Sequence, residues 1–159
     1  MSRVGYAYSS IAVTGSEIVL GVRTTAAVLT GFNIYEVLVS GQAGTSTPVR
    51  LDVSRATTAT AMYGVVVPPG MLNAVSDAAP ASLVSNKAAW TTTPTAGTSL
   101  INLPFNAFGG IIRWVAAPGS ELVAIGSAAG TTGTTQGMIV LTSRAGSATV
   151  DGHLLVEEL

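Results

Sequence analysis

An all-β sandwich is the fold this sequence predicts, and three observations predict it. Apolar residues recur with a period of two rather than 3.6. Gly and Pro clusters cut the chain into short segments, and Thr and Val are abundant in the segments between them. No stretch carries a sustained helical pattern. About nine or ten strands with such turns fit two packed antiparallel sheets, and eight or more of them fit the two Greek keys of a jelly roll. A propeller or solenoid is disfavoured, because no fixed-period repeat is visible.

The elements follow in order. Residues 1–10 (with Arg3, Tyr6 and Tyr8) form either an N-terminal arm or the first strand, and residues 11–159 form one sandwich domain. Strands are expected at Ile11–Val13 and Glu17–Val22. In the next, Phe32, Ile34 and Leu38 share a face with Glu36, opposite Tyr35, Val37 and Val39; both faces read as buried, which places this strand centrally. Gly41–Pro48 is a long polar loop. Val49, Leu51 and Val53 alternate with Arg50, Asp52 and Ser54, as in a half-buried strand.

Tyr63–Val67 follows, and Pro68-Pro69-Gly70 is expected to stop it. Asn73–Ala81 is the one plausible short helix, ended by Pro80. Strands are then expected at Leu83–Trp90, Ile111–Val115, Leu122–Gly126 and Met138–Thr142. Pro118-Gly119 suits the centre of a type II turn, with Pro setting φ and Gly accepting a positive φ. Gly130–Thr135 reads as an exposed loop tip. In the last strand Val150, Leu154 and Val156 fall on one face, and Asp151, His153 and Glu157 on the other.

Charge is scarce. Seven basic and eight acidic side chains make 9% of the chain, against about 25% in an average soluble domain. Lys87 is the single lysine. Thr, Ser, Ala and Gly occupy positions where Lys and Glu would ordinarily keep molecules apart, so the chain is suited to a working life packed against other protein. The dispersed arginines and a net charge of −1 give no footprint for nucleic acid. Residues 1–8 lack the apolar region of a secretory signal, and no apolar run is long enough to span a membrane as a helix. Cysteine is absent, which fits folding in a reducing compartment.

Chemistry-bearing groups are few. Asp151 and His153 project from the same side of a strand and are two members of a potential triad. Their place on a polar strand face near the chain end favours a solvated or interface histidine. With one histidine and no cysteine, a transition-metal site is not expected. The carboxylates lack calcium-loop spacing, and Gly126–Gly137 lacks the Lys-Ser/Thr of a phosphate loop. No cofactor is expected. Trp114 reads as core, with Arg113 beside it packing on a ring or reaching a carboxylate. Trp90, at a strand end before Thr91, suits a subunit contact, a sugar-stacking platform, or a ring capping the sandwich.

One order of segments resembles a known group. Gly110–Val123 (GIIRWVAAPGSELV) joins a glycine and a tryptophan to a Pro-Gly turn and an apolar strand. A strand and the ending Gly152–Leu159 (GHLLVEEL) follow, and Ala26–Tyr35 lies upstream with Gly31-Phe32 inside it. This order is similar to that of short virion proteins of tailed phages, and it resembles jelly-roll capsid decoration, or cement, proteins. The resemblance covers about two thirds of the chain, weighted to the C-terminal half.

It implies a non-enzymatic structural protein, assembled in the host cytoplasm and carried on the capsid exterior. Its implied partners are its own copies, as a homotrimer, and the major capsid protein, with no nucleic acid and no membrane. Arg3, Tyr6, Tyr8, Trp90 and His153 are the candidate interface residues. The alternatives are a fibre-head or carbohydrate-binding module with Trp90 or Tyr63 as platform, and a hydrolase using Asp151 and His153.

Overall fold

The computed structural model describes residues 3–24, 31–58, 67, 69–72, 82–87, 93–124 and 138–159. Its strands are β1 (Arg3–Thr14), β2 (Glu17–Thr24), β3 (Phe32–Gln42), β4 (Pro48–Thr58), β5 (Pro69–Met71), β6 (Ser82–Asn86), β7 (Thr95–Asn106), β8 (Phe108–Val115), β9 (Leu122–Ala124), β10 (Met138–Ala145) and β11 (Ser147–Glu158). Sheet A has the order β5-β1-β11-β3-β8, with β9 also on β3, and sheet B the order β6-β2-β10-β4-β7. Every pairing is antiparallel. Among the described residues there is no α-helix.

The topology is that of a long hairpin rolled up. β1 pairs with β11, β2 with β10, β3 with β8 and β4 with β7, each pair nested inside the last. Rolling then sets β11 against β3 and β10 against β4. This is the jelly-roll arrangement of two Greek keys. The chain passes between sheets at paired corners. Gly15 N–H donates to the Gly146 carbonyl where β1 leads to β2 and β10 to β11. Ala43 and Ala107 clamp the other two crossings, with Ala43 N–H on the Ala107 carbonyl and Ala107 N–H on that of Thr47.

The core between the sheets is aliphatic. Val49, Leu51 and Val53 of β4, Ile139 and Leu141 of β10, and Val150, Leu154 and Val156 of β11 all bury there, as the alternation in the sequence predicts. Each such side chain contributes about 1.5–3 kcal/mol of transfer free energy. The predicted turn is also present: Ser120 N–H donates to the Ala117 carbonyl across Pro118 and Gly119, whose φ is +82°. That is type II geometry. It bulges out between β8 and β9, which otherwise form one interrupted edge along β3.

Several expectations need correction. Of the two readings of residues 1–10, the first strand is the one found from Arg3 onward, and β1 lies between β11 and β5. Pro69 opens the short strand β5 at the sheet edge, where a missing N–H is tolerated. β7 was not legible in the sequence; its edge position leaves six of its twelve residues exposed, and its first half is small and largely polar.

Glu36 does not share a face with Phe32 and Ile34. The register of β3 against β11 slips by one residue at Tyr35, and this bulge turns Glu36 outward while Val37 and Val39 return to the core. Trp114 is half-buried against the core margin rather than central, because β8 is an edge strand. Tyr63, Asn73–Ala81, Trp90 and Gly130–Thr135 lie outside the described residues. Of Tyr63–Val67, only Val67 is described, buried and donating its N–H to the Val84 carbonyl.

Candidate functional site

Three neighbouring strands of sheet A converge on one carboxylate. The outward turn at the Tyr35 bulge delivers Glu36 to the outer face, and the register brings β8 and β11 to either side of it: Leu38 is opposite both His153 and Arg113. Arg113 grips Glu36 with two hydrogen bonds, Nε to Oε1 at 2.9 Å and a terminal nitrogen to Oε2 at 2.7 Å. This fork-on-carboxylate geometry is the strong form of the interaction. His153 Nε2 lies 2.8 Å from Oε1. Glu36 is only 6% exposed, yet the Arg113 hydrogen bonds lead, against burial and helped by His153, in holding its carboxyl below the usual range. The reading of Arg113 as reaching a carboxylate is thus realised.

Beside this paired cluster the outer face carries several aliphatic groups. Ile111 and Val115 flank Arg113 on β8 and are 67% and 51% exposed. Leu155 and Leu72 lie over Gly5, and a β carbon built at Gly5 would sit 3.4 Å and 3.6 Å from their side chains. Leu72 and Val123 are exposed as well. The face therefore combines satisfied charges with uncovered aliphatic groups.

The predicted site residues separate into three kinds. His153 belongs to this face. Arg3 lies at its margin, paired with Glu157 at 3.2 Å and stacked 5.7 Å from the centre of the Tyr35 ring. Tyr6 and Tyr8 are inside the sandwich, 0% and 6% exposed, which removes them from the surface offered to a partner. The signal was the Val4-Tyr6-Tyr8 alternation, which puts all three on one strand face. Tyr8 reaches across the central strand β11 to donate its hydroxyl to the Leu38 carbonyl at 3.1 Å. Its ring passes where a side chain at position 152 would stand, and Gly152 leaves that space open. Burial, then the nearby Asp151 charge, push the Tyr8 phenol well above its ordinary value. Trp90 lies outside the described residues.

Asp151 and His153 share a face but not a partner. Asp151 accepts from the backbone N–H of Ser10 at 2.6 Å and from the Gln42 amide, tying β1 and β3 to β11 at the Ser10 bulge. His153 is held instead by Glu36. The acid that engages the histidine is thus one the sequence reading placed on another face. Its available signal was a lone Glu between the apolar residues of β3.

The outer face of sheet B is built differently. Ile18, Ala56 and Val140 bury in a second small cluster with Ala96, apart from the main core. Asp52, Ser54 and Thr142 lie buried on the same side of β4 and β10. Arg144 Nε donates to Asp52 Oδ2 at 3.0 Å, and Arg50 approaches Oδ1 only at 3.5 Å. At one margin Lys87 meets Glu17 at 2.5 Å. That contact and two hydrogen bonds from Thr14 hold the Glu17 carboxyl below its ordinary range against the opposing pull of desolvation, which is the largest single influence.

Among the described residues no group of His, Asp and Glu is placed to hold a metal, and no helix is long and apolar enough to cross a membrane. Compared with protein families, curated proteins and solved structures, the chain finds no match.

Proposed function

We propose that this chain is a non-enzymatic viral structural protein, a capsid decoration protein. In this reading it binds the outer shell as a homotrimer and stabilises it through contacts with the major capsid protein. The observation that carries the reading is the outer face of sheet A. Its Arg113–Glu36–His153 and Arg3–Glu157 groups are paired within the subunit, and Asp151 is hydrogen-bonded to Ser10 and Gln42, so covering them strands little unmet charge. Its aliphatic groups, Ile111, Val115, Leu72 and Val123, are exposed and gain by being covered. A low overall charge lets copies approach without repulsion, and Thr, Ala and Val lose little side-chain entropy when buried. A rigid jelly roll supplies two broad faces for such contacts.

The test is reconstitution. Shells of a candidate host phage, assembled with and without the protein, are compared for melting temperature and resistance to DNA-driven rupture. The proposal expects added stability from the native chain and none from the double variant Ile111→Asp, Val115→Asp, which should remain folded. Equal shell stability with and without the native chain would remove the decoration role.

A further inference from the structure

A cleft of about 540 Å³ opens beside sheet B, between the start of β2, the end of β10 and the approach to β7. Its volume lies within the ~300–1,000 Å³ range of small-molecule sites. The groups that line it have bonding capacity left over. Thr142 is 2% exposed, and its hydroxyl has no hydrogen-bond partner among the described residues. Such an atom is costly to bury, about 1–3 kcal/mol, unless something else engages it. Among the described residues the contacts of Glu17 all fall on Oε1, from Thr14 and Lys87, which leaves Oε2 as an acceptor. Arg144 spends Nε on Asp52, and its terminal nitrogens have no partner among the described residues. Lys87 has donors beyond the one directed at Glu17. Ile18 and Pro94 add apolar wall.

These groups select a ligand class. The three charged groups that line the cleft each meet an opposite charge already, Lys87 and Glu17 one another and Arg144 the buried Asp52 behind it. A free anion or cation would have to compete with a partner in place. What remains is a mixture of directional acceptors and donors beside a small apolar surface. A hydroxyl group is both donor and acceptor, so adjacent hydroxyls can use a carboxylate oxygen and a guanidinium nitrogen together. We infer that this cleft is a binding site for a neutral saccharide, held through vicinal hydroxyls by Glu17 and Arg144 with Thr142 taking a third. The inference stands apart from the decoration role, since sheet A's outer face takes no part in it.

The test titrates the full-length protein, by amide NMR, with methyl glucoside, methyl galactoside, methyl mannoside, N-acetylglucosamine, lactose and maltose, and separately with phosphate and glucuronate. The expected result is saturable binding of at least one neutral sugar in the millimolar range, with shifts at residues 16–18, 95–96 and 142–144. Thr142→Val, which keeps the shape and removes the unpartnered hydroxyl, should weaken binding about tenfold, at an unfolding temperature equal to or above that of the native protein. Glu17→Gln should weaken it as well, and serves as the second variant if Thr142→Val fails to fold. Retained affinity in the folded variants would overturn the inference. So would the absence of binding by every neutral sugar, or binding of phosphate or glucuronate alone.

Discussion

The two outer faces of the sandwich are opposites. Sheet A shows solvent a saturated polar cluster, Arg113, Glu36 and His153, set among aliphatic groups that nothing in the subunit covers. Sheet B buries its aliphatic groups, Ile18, Ala56 and Val140, and leaves the polar atoms of Asp52, Ser54 and Thr142 short of partners. Burial of apolar area is the large favourable quantity in protein association, whereas unused hydrogen-bond capacity is what orients small polar ligands. The first face is therefore matched to a protein surface and the second to a ligand with hydroxyl groups. Two sheets with the same nested pairing thus present different surfaces through their side chains alone.

The same substitution on the two faces separates them most sharply. Val140→Asp places a carboxylate among Ile18, Ala56 and Thr142, and is expected to cost at least ~3 kcal/mol, read as the shift in a urea unfolding curve. A cost below about 1 kcal/mol would mean that sheet B's outer face is in fact wet. Next in size is Gly152→Ala. The new methyl group meets the Leu38 carbonyl and the Tyr8 ring, so a loss of about 1–3 kcal/mol is expected, together with a change in the near-ultraviolet signal of tyrosine.

Glu36→Gln comes third and carries a pH signature. Because the folded carboxyl titrates below its ordinary value, its contribution is present above the unfolded pKa of about 4.3 and fades as pH falls through the lower folded value. The native protein should exceed the variant by about 1–2 kcal/mol near neutrality. The gap should close on acidification below about pH 4. A gap independent of pH would show that the Arg113 bond does not hold Glu36 charged. Smallest in stability is Ile111→Asp on sheet A, expected within about 0.5 kcal/mol of the native chain. Its effect should fall on self-association measured by light scattering, and a changed fold with unchanged association would reverse the assignment of this face.

The sequence carried the sandwich because a period of two is a property of local residues, and β4 and β11 bury the residues their alternation names. The type II turn was legible for the same reason, being fixed by Pro118 and Gly119 alone. What escaped depends on register. The Tyr35 bulge adds one residue to β3 relative to β11, and no local rule marks where a ladder slips; it moved Glu36 from one face to the other and with it the centre of the site. β7 escaped although Ile101, Leu103 and Phe105 face the core, because its first half, Thr95–Ser99, is small and largely polar and Pro104 reads as a strand breaker. The sheet B cleft is assembled from residues 17, 87, 94 and 142–144, distant in sequence, although the only lysine of the chain marks its rim.

The nested pairing has a consequence for how the molecule is made. β11 is the last strand in order and lies between β1 and β3, with Arg3 opposite Glu157. Sheet A is therefore two separate pieces until residue 158 has emerged from the ribosome, and closing it brings together segments some 150 positions apart. Such long-range closure is slow, in the millisecond-to-second range or beyond. The nascent chain waits with β1 and β3 unpaired at one edge each. For a sequence with one lysine to guard such edges, that interval is the exposed moment of its life. Its yield should thus respond more to synthesis temperature and chaperone supply than to the stability of the finished fold.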